Sequence, residues 1–168
     1  RVLHNRLSLY KYMPDKYYIK LVYYKKFRKW LDLKNPQTFN EKLQWLKLYD
    51  RKPEYIQMVD KVTAKVYVAK IIGDNYIIPT LGICNKFDDI NFNSLPKQFV
   101  LKCTHNSGGV IICEDKTTLN ITDAREKINE QLKTNIYYAG REWPYKHVKP
   151  RIIAEQLLFD EANEDLMD

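Results

Sequence analysis

Residues 99–113, with the sequence FVLKCTHNSGGVIIC, decide the fold predicted for this chain. Side chains of a strand alternate between the two faces of a sheet, so Phe99 and Leu101 are expected in a core and Lys102 on the opposite face. The two glycines after Ser107 lack a Cβ, so a turn there can bring backbone N–H groups close to an anion. The stretch therefore predicts a phosphate-binding hairpin. An ordinary hairpin with a surface lysine is the alternative, because Ser-Gly-Gly also suits a plain turn.

Length and composition predict a globular protein of about one domain. The chain has 168 residues, of which 45% are hydrophobic and 29% are charged, which excludes the disordered and fibrous classes. No apolar run approaches the roughly 18 residues of a membrane-spanning helix. The chain has three cysteines without a Cys-x-x-Cys pair and only three histidines. This pattern favours a reducing cytoplasm and gives no zinc site or disulfide framework, so no metal-binding residue is assigned.

The net charge of +7 is concentrated in the first 32 residues, which contain nine basic and two acidic side chains. The remainder has equal numbers of each sign. Because many tyrosines and aliphatic residues are interleaved with the basic ones, this arm suits an anionic membrane surface, an acidic polymer or a nucleic acid. A solvated face on a docked helix is the alternative. Nucleic acid is the least favoured partner, because no recognisable nucleic-acid-binding motif accompanies the charge.

Helix caps and apolar periodicity predict the remaining elements. Proline does not continue a helix, so Pro14 is expected to break the arm into two helical segments. The later elements are a helix over 17–31, a helix opened by a Thr38–Glu41 capping box, a helix from Asp60 to a Gly73 cap, a short strand over 76–81, the hairpin, a helix capped by Thr122 or Asp123 that ends near Asn135, and a buried strand from Arg151.

The order of these elements and five short strings resemble the TupA-like ATP-grasp family. The strings are Pro36-x-Thr38-Phe39-Asn40-Glu41-Lys42-Leu43-Gln44-Trp45-x-Lys47-x-Tyr49-Asp50-Arg51, Asp60-Lys61, Phe99-Val100-Leu101-Lys102-Cys103-x-His105-x-Ser107-Gly108-Gly109, Arg141-Glu142-Trp143-Pro144-Tyr145 and Pro150-Arg151-Ile152-Ile153-Ala154-Glu155. The resemblance covers roughly residues 34–168. It implies an α+β chain in which a basic helical arm (residues 1–35) precedes the first nucleotide-binding lobe of an ATP-grasp fold (residues 36–168), apparently truncated.

The resemblance also implies an ATP site. The matching residues are Lys65 and Lys102 for the nucleotide phosphates, Ser107, Gly108 and Gly109 for the loop that closes over them, and Glu155, Gln156, Leu157 and Leu158 for the linker that reads adenine and ribose. Lys61 and Lys70 share the helix of Lys65, which weakens that assignment. His105 is expected to contact phosphate or carry a proton, or else to stabilise the turn. No catalytic residue is assigned, and ligands for Mg²⁺ are expected beyond residue 168.

The reaction implied by the resemblance is ATP-dependent ligation, in which a carboxylate becomes an acyl phosphate and an amine or other nucleophile displaces phosphate. Such proteins occur in bacterial gene sets for capsule, teichuronopeptide and surface polysaccharide, and are often labelled glycosyltransferases. The expected acceptor is therefore a uronic acid or amino acid on a polyanionic surface polymer. Sugar transfer and a non-catalytic binding module are the alternatives, and the 168 residues alone are expected to be inactive.

The expected location is the cytoplasm, at the inner face of the membrane if residues 1–32 bind lipid. Residues 141–145, Arg-Glu-Trp-Pro-Tyr, have two interpretations. They form a structural corner or an acceptor-recognition loop, because aromatic rings beside basic groups suit a sugar or polyanion.

Overall fold

The computed structural model describes residues 10–158. The helices are α1 (Asp15–Phe27), α2 (Phe39–Tyr49), α3 (Glu54–Val59), α4 (Lys61–Ile72), α5 (Ile121–Leu132) and α6 (Tyr137–Gly140), and the strands are β1 (Thr80–Cys84), β2 (Phe99–Cys103), β3 (Ile111–Cys113) and β4 (Ile152–Gln156). This α+β composition confirms the predicted fold class. No helix within residues 10–158 is both long and apolar enough to cross a membrane.

The described residues divide into two compact units. Unit 1 contains residues 10–59 and Asn135–Val148, and unit 2 contains Asp60–Thr134 and residues 149–158. Unit 1 is therefore built from two separate pieces of the chain. The separation of an arm over residues 1–35 from a family domain over 36–168 stays a prediction, and the helical segment expected before Pro14 lies mainly outside the described residues.

Unit 1 has a small core built by α1 and the chain that follows it. The buried residues of this core are Tyr18, Ile19, Tyr23, Leu31 and Leu33. Helix α1 starts after Pro14, whose φ of −57° suits helix entry. It ends at Phe27, and the capping residue Arg28 takes the left-handed conformation and donates its N–H to Tyr24 O (2.8 Å). The helix is thus shifted toward the N-terminus relative to the predicted span of 17–31.

The predicted capping box of α2 is confirmed. Thr38 Oγ1 accepts a hydrogen bond from Glu41 N (3.3 Å), and Glu41 Oε2 accepts one from Thr38 N (2.9 Å) and another from Gln37 N (2.9 Å). Glu41 is 2% exposed and also lies 3.3 Å from Lys29 Nζ. A buried carboxylate with these donors ties the start of α2 to the preceding turn.

We expect the folding stability of the chain to fall on acidification, because the Glu41 carboxylate becomes protonated. Hydrogen bonds from Thr38 N and Gln37 N lower the pKa of Glu41 from 4.5 to about 2. A carboxyl whose pKa is lowered by folding stabilises the folded state above its unfolded pKa, and this contribution is lost as pH falls from 4.5 toward 2. Urea denaturation across this range should show a weaker pH dependence in Glu41→Gln than in the wild type.

The matched control is Glu54→Gln, in which an exposed carboxyl at the start of α3 is neutralised. This variant should keep the pH dependence of the wild type. A Glu41→Gln protein with the same pH dependence as the Glu54→Gln protein would contradict the role of the capping carboxylate.

Unit 2 contains a four-stranded antiparallel sheet in the order β1-β4-β2-β3. One face packs against α5 through a core that includes Leu101, Ala154 and Ile128. Because side chains alternate along each strand, Lys102 and Glu155 lie on the opposite face. The predicted alternation along β2 is thus confirmed, and the sheet presents charged groups on the face away from its core.

Four local predictions need correction. The strand predicted over 76–81 lies at Thr80–Cys84, because Asp74–Tyr76 forms a 3₁₀ turn. Helix α5 is capped by Asn120, whose Oδ1 accepts from the N–H groups of both Thr122 and Asp123. It ends at Leu132, before the predicted end near Asn135. The predicted hairpin of β2 and β3 is confirmed by their antiparallel pairing, but the tight Ser-Gly-Gly turn is instead a longer connection over residues 104–110.

Candidate functional site

A buried carboxylate pairs with two lysines on the face of the sheet that lies opposite the core shared with α5. Glu155 is 5% exposed and comes from β4; its Oε2 lies 2.7 Å from Lys102 Nζ and its Oε1 lies 2.5 Å from Lys65 Nζ. Lys102 comes from the neighbouring strand β2, and Lys65 comes from the second turn of α4. Two predicted phosphate ligands, distant in sequence, therefore meet at one carboxylate.

The two lysines differ in how many of their hydrogen-bond donors are already occupied. Lys65 also donates to Ile78 O (2.6 Å) and to Thr80 Oγ1 (3.0 Å), so its three donors are occupied. Lys102 is partly exposed, and its partner among the described residues is Glu155. Lys102 is thus the cation better placed to bind an additional anion.

The ionisation of Glu155 is set by two opposing effects. Burial raises the pKa of a carboxyl, but hydrogen bonds and charges from Lys102 and Lys65 outweigh burial here, so the pKa of Glu155 lies below its ordinary value. Glu155 is therefore an anion at neutral pH and holds both ammonium groups in a fixed place before any ligand binds.

Lys61 is a third lysine of this region and was not among the assigned ligands. It begins α4, donates to Cys103 O (3.0 Å) and also bonds Asn106 O. Burial and the positive charge of Lys102 lower the pKa of Lys61. Its position four residues before Lys65 was the available signal, because residues at this spacing share a helix face.

Asp60 fixes the start of the same helix. Its Oδ1 accepts from Val62 N (3.0 Å) as the helix cap, and its Oδ2 lies 2.6 Å from an Arg151 nitrogen. Lys61 N donates to Thr104 O (3.2 Å). These contacts attach the first turn of α4 to the end of β2, where the glycine loop begins.

The glycine loop rests on the end of α5. Asn106 Nδ2 donates to Gln131 O (3.1 Å) and to Gln131 Oε1 (3.0 Å). Gly109 has a φ of +70°, and a Cβ there would lie 2.2 Å from Gln131 Cγ, so both backbone conformation and space require glycine. Ser107 and Gly108 are exposed. The loop therefore offers open backbone at its centre and is fixed on both sides.

His105 lies beneath this loop. The side chain has no exposed surface, and Nε2 lies 2.8 Å from Thr134 O. Burial lowers the pKa of His105, which keeps the ring neutral with Nε2–H donating. This geometry favours the turn-stabilising role, and a phosphate contact or proton transfer by His105 stays a prediction that requires the ring to move.

The predicted adenine linker begins as a strand. Glu155 and Gln156 belong to β4, and Gln156 N donates to Pro79 O (3.1 Å). Leu157 is half-buried and Leu158 is exposed. Contacts of Gln156, Leu157 and Leu158 with a nucleotide stay a prediction, whereas the Glu155 side chain is directed to the two lysines.

The buried side chain of Arg141 holds the motif of residues 141–145 in a structural corner of unit 1. It is 1% exposed and has a φ of 53°, in the left-handed region. Its guanidinium donates to Tyr10 O (2.5 Å) and Met13 O (3.3 Å) and lies 4.4 Å from the ring centre of Tyr18. This side chain is structural, as one of the two interpretations of the motif predicts.

The rest of the motif lines a concavity of about 310 Å³ in unit 1. Its lining residues are Leu46, Lys47, Asp50, Tyr55, Val59, Glu142, Trp143, Pro144 and Tyr145. Asp50 Oδ2 accepts from Tyr55 OH (2.9 Å), and Lys47 Nζ lies 3.6 Å from Glu142 Oε1. Aromatic rings and paired charges therefore surround one open space.

The charged cluster of unit 2 fits phosphate. Its cations are Lys61, Lys65, Lys102 and Arg151, and its anions are Asp60 and Glu155, which gives a surplus of two positive charges. A dianionic phosphate group compensates such a surplus, and ammonium groups bind it as point charges. By contrast, residues 10–158 contain no group of three acidic, His or Cys side chains suited to a metal ion.

Comparisons with known proteins identify the chain at the level of its family. No curated protein and no solved structure matches it. A model of the TupA-like ATPgrasp family matches residues 41–168, which is more than half of the chain and includes the lysine cluster and the glycine loop. The chain therefore belongs to the TupA-like ATPgrasp family.

Proposed function

We propose that unit 2 binds the phosphates of ATP for a ligation reaction in the cytoplasm. The observation that carries this proposal is the placement of Lys65 and Lys102 within 2.7 Å of the same buried carboxylate, in a cluster with surplus positive charge. Membership of an ATP-grasp family makes ATP the expected source of phosphate. Mg²⁺ bound with ATP would neutralise charge on the transferred phosphoryl group.

The residues of this chain bind and orient the nucleotide. Lys102 offers an ammonium group to the phosphates, Glu155 holds that group in position before binding, and Lys65 fixes the orientation of the Glu155 carboxylate. The exposed backbone at Ser107 and Gly108 allows close approach of an anion. In the proposed reaction the γ-phosphoryl of ATP passes to a substrate carboxylate, ADP leaves, and an amine then displaces inorganic phosphate to form an amide.

The Lys102→Ala variant tests the proposal. Titration calorimetry with Mg²⁺ and a non-hydrolysable ATP analogue should show saturable binding by the wild type. Loss of a charged hydrogen bond is worth about 1.5–3 kcal/mol, so Lys102→Ala should bind about 10- to 100-fold more weakly. The control is Lys97→Ala, which removes an exposed lysine of unit 2 that pairs with Asp115 (3.0 Å) and should bind normally.

Two results would overturn the nucleotide site. One is the absence of saturable binding by the wild-type chain. The other is an equal loss of affinity in Lys97→Ala and Lys102→Ala, since a general charge effect would then account for binding. Circular dichroism of each variant separates lost binding from lost folding.

We further propose that the concavity beside Trp143 binds a saccharide ring of the acceptor. Its volume of about 310 Å³ lies within the range of small-molecule sites. Trp143 and Tyr145 supply apolar ring faces, and the carboxylates of Asp50 and Glu142 can accept hydrogen bonds from hydroxyl groups. Lys47 can pair with the carboxylate of a uronic acid.

The Trp143→Ala variant tests this acceptor site in the absence of nucleotide. Saturation-transfer NMR with a methyl glucuronide should report binding to the wild type and loss of binding to Trp143→Ala, because the apolar ring face is gone. The control is Trp45→Ala, since Trp45 packs on Tyr49 (5.1 Å between ring centres) and does not line the concavity. Binding retained by Trp143→Ala would contradict the assignment.

A further inference from the structure

The outward face of α1 carries large aromatic side chains. Tyr17, Lys20, Tyr24 and Phe27 recur at spacings of three and four residues, so they share one side of the helix. Tyr17 is 67% exposed and Phe27 is 40% exposed, whereas Lys20 and Tyr24 are half-buried. The opposite side of the helix is the one that packs into the core of unit 1, through residues such as Ile19. This side of the helix therefore leaves aromatic surface partly open to solvent.

Trp30 extends the face beyond the end of the helix. Its ring stacks on Tyr24, with 4.4 Å between ring centres and 22° between ring planes, yet 64% of the residue is exposed. Arg28 lies between the two in sequence and is exposed as well. Tryptophan and tyrosine in this arrangement have an apolar body and a polar edge, as do the aromatic residues of membrane interfaces.

The charged side chains of residues 16–31 all have the same sign. Residues 16–31 contain six basic and no acidic side chains. Within the described part of the chain, Lys29 is the one member of this set that forms an ion pair, with Glu41. The preceding acid, Asp15, contacts Arg51 (2.6 Å) and Tyr137 (2.5 Å) and does not offset the charge of the outward face.

We propose that this surface binds an anionic membrane, with α1 parallel to it. The surface consists of Tyr17, Lys20, Tyr24, Phe27, Arg28 and Trp30. Basic groups near anionic headgroups contribute about 1 kcal/mol each, and the aromatic rings add apolar area that enters the headgroup region. A partner that is bound by electrostatic attraction alone would not need the exposed rings. The concentration of exposed rings on the same face favours lipid over a nucleic acid.

Vesicle cosedimentation of the full 168-residue chain tests the proposal. The wild type should bind vesicles of phosphatidylglycerol and phosphatidylcholine and not vesicles of phosphatidylcholine alone. Reversing two charges in Lys20→Glu/Arg28→Glu should weaken binding about tenfold or more. Trp30→Ala should weaken the binding that remains at 0.5 M salt, where electrostatic attraction is screened and apolar contacts dominate.

The matched control is Lys97→Glu/Lys133→Glu, which makes the same charge change with two exposed lysines of unit 2. This variant should bind anionic vesicles as the wild type does. Equal weakening in both double variants would overturn the assignment, as would the absence of vesicle binding. Tighter binding of a single-stranded oligonucleotide than of vesicles, lost in Lys20→Glu/Arg28→Glu, would replace the membrane by a nucleic acid.

Discussion

Glu155→Ala is expected to lower the free energy of unfolding by about 3–5 kcal/mol without nucleotide, as breaking a buried ion pair does. The substitution leaves Lys65 and Lys102, which are 17% and 27% exposed, facing each other without an anion. Urea denaturation at pH 7 measures the loss. Because folding lowers the pKa of Glu155, its contribution is present above its unfolded pKa, near 4.5, and lost as pH falls below that value.

Binding of the nucleotide should restore part of the stability that Glu155→Ala loses. A phosphate between the two lysines replaces the missing carboxylate, so the ATP analogue with Mg²⁺ should raise the melting temperature of Glu155→Ala more than that of the wild type. Glu126→Ala, at an exposed position of α5, is the control and should change stability by less than about 0.5 kcal/mol. Equal stability losses in the two variants would show that Glu155 does not hold the lysines.

Arg141→Met is expected to lower the free energy of unfolding by about 3 kcal/mol, since a buried hydrogen-bonded charge is removed. Tyr10 O and Met13 O lose their charged donor, and the rings of Tyr18 and Tyr137 lose a cation 4.4 Å and 5.1 Å away. Arg141→Lys should not restore the wild-type value, because an ammonium group cannot bond both carbonyls while stacking on the rings.

Arg125→Met provides the comparison for Arg141. Arg125 forms an ion pair with Asp88 in which both side chains are largely exposed, so its removal should lower stability by less than about 1 kcal/mol. Thermal and urea unfolding of the two variants should therefore differ clearly. A loss in Arg141→Met no larger than that in Arg125→Met would contradict a structural role for the buried guanidinium.

Local patterns account for what the sequence predicted well. The alternation along β2 placed Lys102 opposite the core because two-residue periodicity is a property of the strand itself. The capping box between Thr38 and Glu41 likewise depends on three residues of separation. The same rule predicted Thr122 or Asp123 as the cap of α5 and was wrong, because Asn120 Oδ1 is the acceptor that reaches the free N–H groups.

Distant contacts account for what the sequence missed. The pairing of Lys65 with Glu155 joins residues that are far apart in the chain, and no local pattern selects one lysine of α4 over another. Helix α3 has six residues, too few for a helical period to stand out. A structural corner was one of two interpretations of residues 141–145, but because arginine is rarely buried, nothing in the sequence placed the Arg141 side chain inside that corner.

The discontinuity of unit 1 has a consequence for biosynthesis. Its first piece leaves the ribosome well before Asn135–Val148, and at 5–20 residues per second the wait is roughly 4–15 s. The central strand β4 of unit 2 emerges later still, after β1 and β2, both of which it joins. Neither unit can therefore finish folding before Val148 and β4 have left the ribosome. Until then the nascent chain exposes aromatic rings and unpaired strand edges, which are the surfaces through which unfinished chains aggregate.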